Sequence, residues 1–212
     1  ANFFTTYFLS LVVIFLIPFS ILGFTMYHNS VISIKSQIET TSLNQLEQIK
    51  YIIDLRLEEL SDISVRIAYD PSLTPFMLQN GGYAAKAAIN ELGKYKANSA
   101  IVENIYLYIR GDQMIYSQEG MQSLDVVANR LYRMTEAAKV QLIDELNHTN
   151  APLLRGLGQA NQGELITYYY PIRPNDSYFY GTIMYTIKDS VLLNFISGTL
   201  RGNEGAVLIY DQ

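Results

Sequence analysis

The sequence predicts an α+β protein: a membrane-anchoring helix, a long stalk helix and an antiparallel sheet module. Three observations carry that reading. The stretch FLSLVVIFLIPFSILGFTMY, Phe8 to Tyr27, runs for twenty residues without a charged side chain. From Val31 to Ala68 an apolar stripe of helical spacing continues with no Gly or Pro inside it. Beyond it, in VENIYLYIR and again in two later runs, the apolar period drops from about 3.6 to 2.

The first element, residues 1–30, reads as a retained anchor. Twenty residues at about 1.5 Å rise span roughly 30 Å, the thickness of a bilayer's hydrocarbon core. A secretory signal has an apolar core of only about 7–15 residues and a small-residue cleavage site, and no such site follows here. Pro18 and Gly23 are tolerated in membrane helices. Tyr7 and Tyr27 bracket the run as interfacial aromatics do. A signal peptide and a buried core helix are the rival readings. The chain opens on Ala1 and not on Met, so further residues are expected upstream.

The second element, residues 31–69, is a stalk. Its stripe is Ile34, Ile38, Leu46, Ile49, Ile53, Leu57, Leu60, Ile63 and Ile67. A helix of that length extends on the order of 55 Å. The stripe suits pairing with a second copy or packing on a sheet of the same chain. Asp70-Pro71 ends it, because the residue before proline is pushed out of the helical region.

Pro71 to Gln79 is expected to form a short helix, closed by Asn80-Gly81-Gly82. Tyr83 to Ala97 is an Ala-rich helix with the stripe Ala85, Ile89, Leu92 and Tyr95. In the first alternating run Ile105, Leu107 and Ile109 share one face, and Tyr106, Tyr108 and Arg110 the other. Gly111-Asp112 then turns the chain into QMIYS, forming a hairpin. Leu124 to Met134 and Glu136 to Asn147 read as helices capped by Ser123 and Thr135. Asn150 to Gly163 reads as loop with a short strand at Leu153 to Leu157. Glu164 to Ile172 and Tyr178 to Ile187 form a second strand pair across Pro174-Asn175-Asp176. Asp189 caps a helix from Val191 to Leu200, which Gly202 and Gly205 end, and Ala206 to Tyr210 opens another strand.

Chemistry is sparse. The formal charge of −5 lies wholly from Lys35 onward and shows no Lys/Arg cluster, so nucleic acid is not an expected partner. Without cysteine there are no disulfides and no thiolate metal sites. His28 and His148 lack metal-ligand spacing, and no G-x-S-x-G elbow is present. RGLGQANQG precedes a strand, which disfavours a phosphate cradle. Arg110-Gly111-Asp112 reads as a hairpin turn and not as an adhesion motif. The sequons at Asn147 and Asn175 carry no weight. Neither an enzyme nor a cofactor is expected.

Tyrosine stands out, at seventeen residues. Tyr106, Tyr108, Arg110, Tyr116, Tyr168 and Tyr170 are the candidate ligand-binding residues. Tyr offers an apolar ring with a hydroxyl, and Arg binds a carboxylate or stacks on a sugar ring. Tyr168 and Tyr170 share a face with Ile166. The plainer alternative is an amphipathic strand face, since aromatic residues favour strands.

The segments NQLEQIKYIIDLRLEEL, INELGKYKANSAIVENIYLY, SLDVVANRLY, LITYYYPI and YGTIMYTIKDSVL follow in that order. Together they resemble the extracellular sensor of membrane-anchored AraC-type regulators and of the sister sensor histidine kinases of Gram-positive bacteria. The resemblance implies a double-Cache domain, with two PAS-like modules on one long helix. Residues 70–188 would be the membrane-distal module. Residues 189–212 would be a connecting helix and the first strand of a membrane-proximal module, with the effector beyond Gln212. It also implies a homodimer in the bacterial cell membrane, extracellular after about residue 30, that relays small-molecule binding inward. The amino-acid-binding members carry an Arg, Trp and Asp set. This chain has no Trp, so that set is incomplete and an amino-acid ligand is not supported. Many relatives sit near carbohydrate-use genes, so the resemblance implies a sugar or oligosaccharide as the ligand. A surface hydrolase and a partner-binding ectodomain are the rivals from other classes.

Overall fold

A computed structural model describes residues 2–79, 82–132, 135–160, 163–173 and 178–199. The predicted strand at Ala206 to Tyr210 and the turns at Asn80-Gly81 and Pro174-Asn175-Asp176 lie outside them. The chain divides into two compact units, residues 1–50 and 51–212. Helix α1, Asn2–Ala68, contributes to both and includes Pro18.

In the first unit, α1 holds an 18-residue window of mean hydropathy 2.4 with no residue buried, long and apolar enough to cross a membrane. Its hydroxyls return to their own backbone. Ser10 Oγ donates to the Tyr7 carbonyl and Thr25 Oγ1 to that of Ile21, each at 2.9 Å. In hydrocarbon, where no water competes, this is how a polar side chain is satisfied.

The second unit is a six-stranded sheet with helices on both faces. α1 ends where the sequence predicts. Asp70 caps a 3-10 turn, Pro71–Leu73, by accepting from Ser72 N at 2.8 Å. Two helices follow, α2 (Pro75–Gln79) and α3 (Gly82–Ala97). The strands are β1 (Val102–Ile109), β2 (Met114–Ser117), β3 (Gly120–Ser123), β4 (Leu153–Ala160), β5 (Gly163–Ile172) and β6 (Gly181–Lys188). Their order is β3-β2-β1-β6-β5-β4, with every neighbouring pair antiparallel. α4 (Leu124–Tyr132) and α5 (Glu136–His148) separate β3 from β4, and α6 (Asp189–Thr199) follows β6.

Local signals hold where they are strong. Gly111 takes a φ of 80° in the β1–β2 turn, where Asp112 N donates to the Ile109 carbonyl at 3.0 Å. The backbone amides of Val126 and Ala138 reach the Ser123 and Thr135 hydroxyls. Three expectations needed correction. β6 begins at Gly181 and not at Tyr178, since its pairing with β1 and β5 starts there. β3 was not foreseen, because GMQS has one large apolar residue and owes its extended form to pairing with β2. β4 continues to Ala160 instead of stopping at Leu157, since β5 pairs along it through a register shift after Leu157.

Alternation sorts the strand residues into two cores. On one face Ile105, Leu107, Tyr168, Ile183 and Tyr185 meet Leu60, Ile63 and Ile67 of α1, with Leu78 and Leu92 of α2 and α3. On the other, Tyr106, Tyr108, Ile115, Tyr169 and Met184 meet Leu124, Val127, Leu142 and Leu146 of α4 and α5. The upper stalk stripe thus packs on the chain's own sheet.

Candidate functional site

The six candidate residues divide three and three between the two sheet faces. Tyr106 and Tyr108, each 2% exposed, lie under α4 and α5. The Tyr108 hydroxyl donates to Asn147 Oδ1 at 3.1 Å, and Gly111 N donates to the same oxygen at 3.0 Å. Asn147 Nδ2 in turn donates to the Ile143 carbonyl at 2.8 Å. The side chain of the Asn147 sequon is therefore a structural clamp.

Arg110 continues that end of β1. Its Nη2 donates to the Thr149 carbonyl, and its guanidinium stands 5.0 Å from the Phe179 ring centroid. Desolvation lowers its pKa from the ordinary arginine value.

Tyr116, Tyr168 and Tyr170 belong to the α1 face. The reason lies in the strand order. β6 separates β1 from β5, and Ile105 pairs with Tyr185, which pairs with Tyr168. Residues in register project to the same side of a sheet, so Tyr168 shares the face of Ile105, not that of Tyr106. The Tyr168 and Tyr185 rings lie 6.1 Å apart, and burial pushes the Tyr168 phenol up to about 12. Tyr185 reaches Ser64 of α1 with its hydroxyl, at 2.7 Å. Burial raises the Tyr116 phenol too, with Asp112 adding to the shift.

Near this face a cleft of about 380 Å³ opens at the end of β5. Val65, Ala68 and Tyr69 form the wall supplied by α1 and the residue after it. Asn150 and Pro152 come from the α5–β4 connection, and Tyr170, Pro171, Arg173 and Phe179 from the end of β5 and the start of the next segment. Arg173 stands 5.2 Å from the Phe179 centroid, so two guanidiniums share that ring with Arg110. The walls are mixed, about as polar as apolar, with one amide, two phenols and one cation beside aliphatic and aromatic side chains.

Of the six predicted residues, Tyr170 lines the cleft and Arg110 borders it through Phe179. Arg173, Phe179, Asn150 and Tyr69 were missed. The one signal in the sequence was YYYPIR, where Arg173 closes the tyrosine run. Among the described residues no three His, Cys, Asp or Glu side chains gather as a metal-binding group.

No protein-family profile matches the chain, and neither does any curated protein. Among solved structures it is similar to the ligand-binding domain of the Pseudomonas aeruginosa PAO1 amino acid chemoreceptor PctC in complex with GABA. That match has 10% identity and a TM-score of 0.42, covering 72% of this chain and 63% of the other. It is also similar to the sensory domain of the Campylobacter jejuni chemoreceptor Tlp3 with isoleucine bound, at 15% identity and a TM-score of 0.47, covering 77% and 65%. The periplasmic sensory domain of the C. jejuni chemoreceptor Tlp1 matches at 17% identity and 0.42, covering 76% and 62%. The chain thus spans less than two thirds of the length of each. At TM-scores this low the likeness carries no weight for function, which has to come from the chain's own residues.

Proposed function

We propose that this chain is the extracellular ligand-sensing region of a membrane-anchored signalling protein. One observation carries the reading. The cleft is walled by Val65 and Ala68 of α1, the helix that begins as the charge-free run. A small molecule seated there touches α1 directly. It favours whichever packing of α1 on the sheet binds it better, and a difference in affinity between two packings is what moves such an equilibrium. Tyr170, Arg173, Phe179 and Asn150 are the proposed contacts, with Arg110 behind them. Tyr106, Tyr108, Tyr116 and Tyr168 hold the sheet in shape.

The sequence resemblance adds the finer parts. The output would be a cytoplasmic AraC-type DNA-binding module, or a histidine kinase as the alternative. The ligand would be a sugar. The protein would act as a homodimer, for which exposed Ile34, Ile38 and Leu46 of α1 supply an apolar stripe.

A thermal-shift screen of the 212-residue chain in detergent against sugars, organic acids and amino acids tests the reading. The expected result is a hit whose stabilisation disappears in Tyr170→Ala. A hit untouched by that variant, or no hit at all, contradicts it.

A further inference from the structure

A polar contact interrupts the aliphatic seam between α1 and the sheet. Ser64 and Tyr185 are both fully buried, and their hydroxyl oxygens stand 2.7 Å apart. Ser64 Oγ donates its one proton to the Leu60 carbonyl at 2.8 Å, so the Tyr185 hydroxyl is the donor of the pair. A buried phenol that loses such an acceptor carries the penalty of an unmade hydrogen bond. Tyr185 therefore favours those positions of α1 that bring it an acceptor. The sequence of the helix offers two. Residues 57–67 read LEELSDISVRI, so Leu60-x-x-Ile63-Ser64 is preceded by Leu57-x-x-Leu60-Ser61. Moving α1 by three residues means about 4.5 Å along its axis and about 60° around it. Leu57 and Leu60 would then pack where Leu60 and Ile63 do, and Ser61 would meet Tyr185. Leu57 already lies partly buried against this core, and Ser61 is half-buried. The move has a cost. Ser64 would take the buried place of Ile67, and the last turn of α1 before the Asp70 cap would have to give way. The observed register is thus the ground state.

We infer that α1 has two registers on the sheet, one turn apart, with Ser64 accepting from Tyr185 in one and Ser61 in the other. Positions between them leave the phenol unpaired, so the helix steps instead of sliding, as packed elements do when they ratchet past one another. These registers are the two packings that the sensing reading asks for. The device is tested without a ligand, so its failure would leave that reading standing.

Spin-label distances measured in the 212-residue chain in detergent test this. The chain has no cysteine, so two substitutions place both labels. They are Glu58→Cys on α1, at an exposed side chain, and Val140→Cys on α5, at one 60% exposed. With the native serines the expected result is one narrow distance. Ser64→Ala removes the acceptor of the observed register and supplies an apolar side chain for the place of Ile67 in the other. A second population should therefore appear, displaced by up to about 4.5 Å. Adding Ser61→Ala removes the acceptor of the second register, and adding Tyr185→Phe removes the need for one. Either addition should return the single native distance. The inference is overturned if Ser64→Ala keeps that single distance, or if the second population persists with Ser61→Ala or Tyr185→Phe added.

Discussion

The two faces of the sheet draw on the same tyrosine-rich strands and are closed in different ways. Under α1 the contacts are chiefly aliphatic, with one buried hydroxyl pair, Ser64 to Tyr185, between helix and sheet. Under α4 and α5 the closing helix is tied at its C-terminal end. Thr182 Oγ1 donates to the Leu146 carbonyl at 2.7 Å, and Asn147 takes the Tyr108 hydroxyl and Gly111 N. Apolar contact is non-directional, whereas hydrogen bonds fix position. Both faces thus hold their helices by apolar packing, and the hydrogen bonds at the end of α5 add a directional hold there. The cleft opens beside the α1 face.

Alkali offers the largest break, because it strikes several phenols at once. Burial pushes Tyr168 and Tyr180 up to about 12, and burial together with the Asp70 hydrogen bond does the same to Tyr95. Burial also raises Tyr185 on the α1 face and Tyr169 on the other. A phenol whose folded pKa exceeds its unfolded value of about 10 stabilises the fold fully below that pH. The contribution is lost as pH rises toward the folded value. Circular dichroism melts should therefore hold steady up to about pH 10 and fall steeply toward pH 12; a flat profile across that window would show that the phenols are not buried.

Next come the two cores. Leu60→Ala under α1 and Leu146→Ala under α5 remove fully buried side chains, and each should cost about 2–5 kcal/mol in urea unfolding. A cost for Leu60→Ala near zero would mean that α1 is not part of the core. Gly181→Ala probes the seam where β6 pairs with β1. A Cβ there would come 2.7 Å from the Tyr108 carbonyl oxygen, so the strands must part, at about 1–3 kcal/mol.

The smallest effect separates the faces most finely. Tyr185→Phe removes the hydroxyl that meets Ser64, while Ser64 keeps its 2.8 Å bond to the Leu60 carbonyl. The loss should be about 1 kcal/mol. On the other face Asn147→Ala leaves the part-buried Tyr108 hydroxyl without its acceptor and also removes the bond from Gly111 N, and should cost more than Tyr185→Phe by the same unfolding assay. The reverse order would refute the contrast drawn between the faces.

Much of this was legible from residues alone. Ile105, Leu107 and Ile109 announced an aliphatic face of β1, the one that meets α1, and Asp70-Pro71 announced where α1 ends. Ser123, Thr135 and Gly111 marked caps and a turn through local chemistry that needs no tertiary context. The partition of the tyrosines was not legible. It depends on β6 lying between β1 and β5, a long-range pairing that alternation within one strand does not encode. The cleft was hidden for a related reason. Val65, Asn150, Tyr170 and Phe179 come from separate segments that meet only once the sheet has formed. β3 escaped because a four-residue strand with one large apolar side chain has no period to read.

The account turns on a tethered module that faces outward. The chain has no cysteine, so a single Tyr83→Cys substitution, at a side chain 88% exposed, gives one reporter thiol. Intact cells treated with a membrane-impermeant maleimide should label that thiol, and the labelled chain should sediment with the membranes. Labelling only after lysis, or a labelled chain free in the medium, would contradict the account.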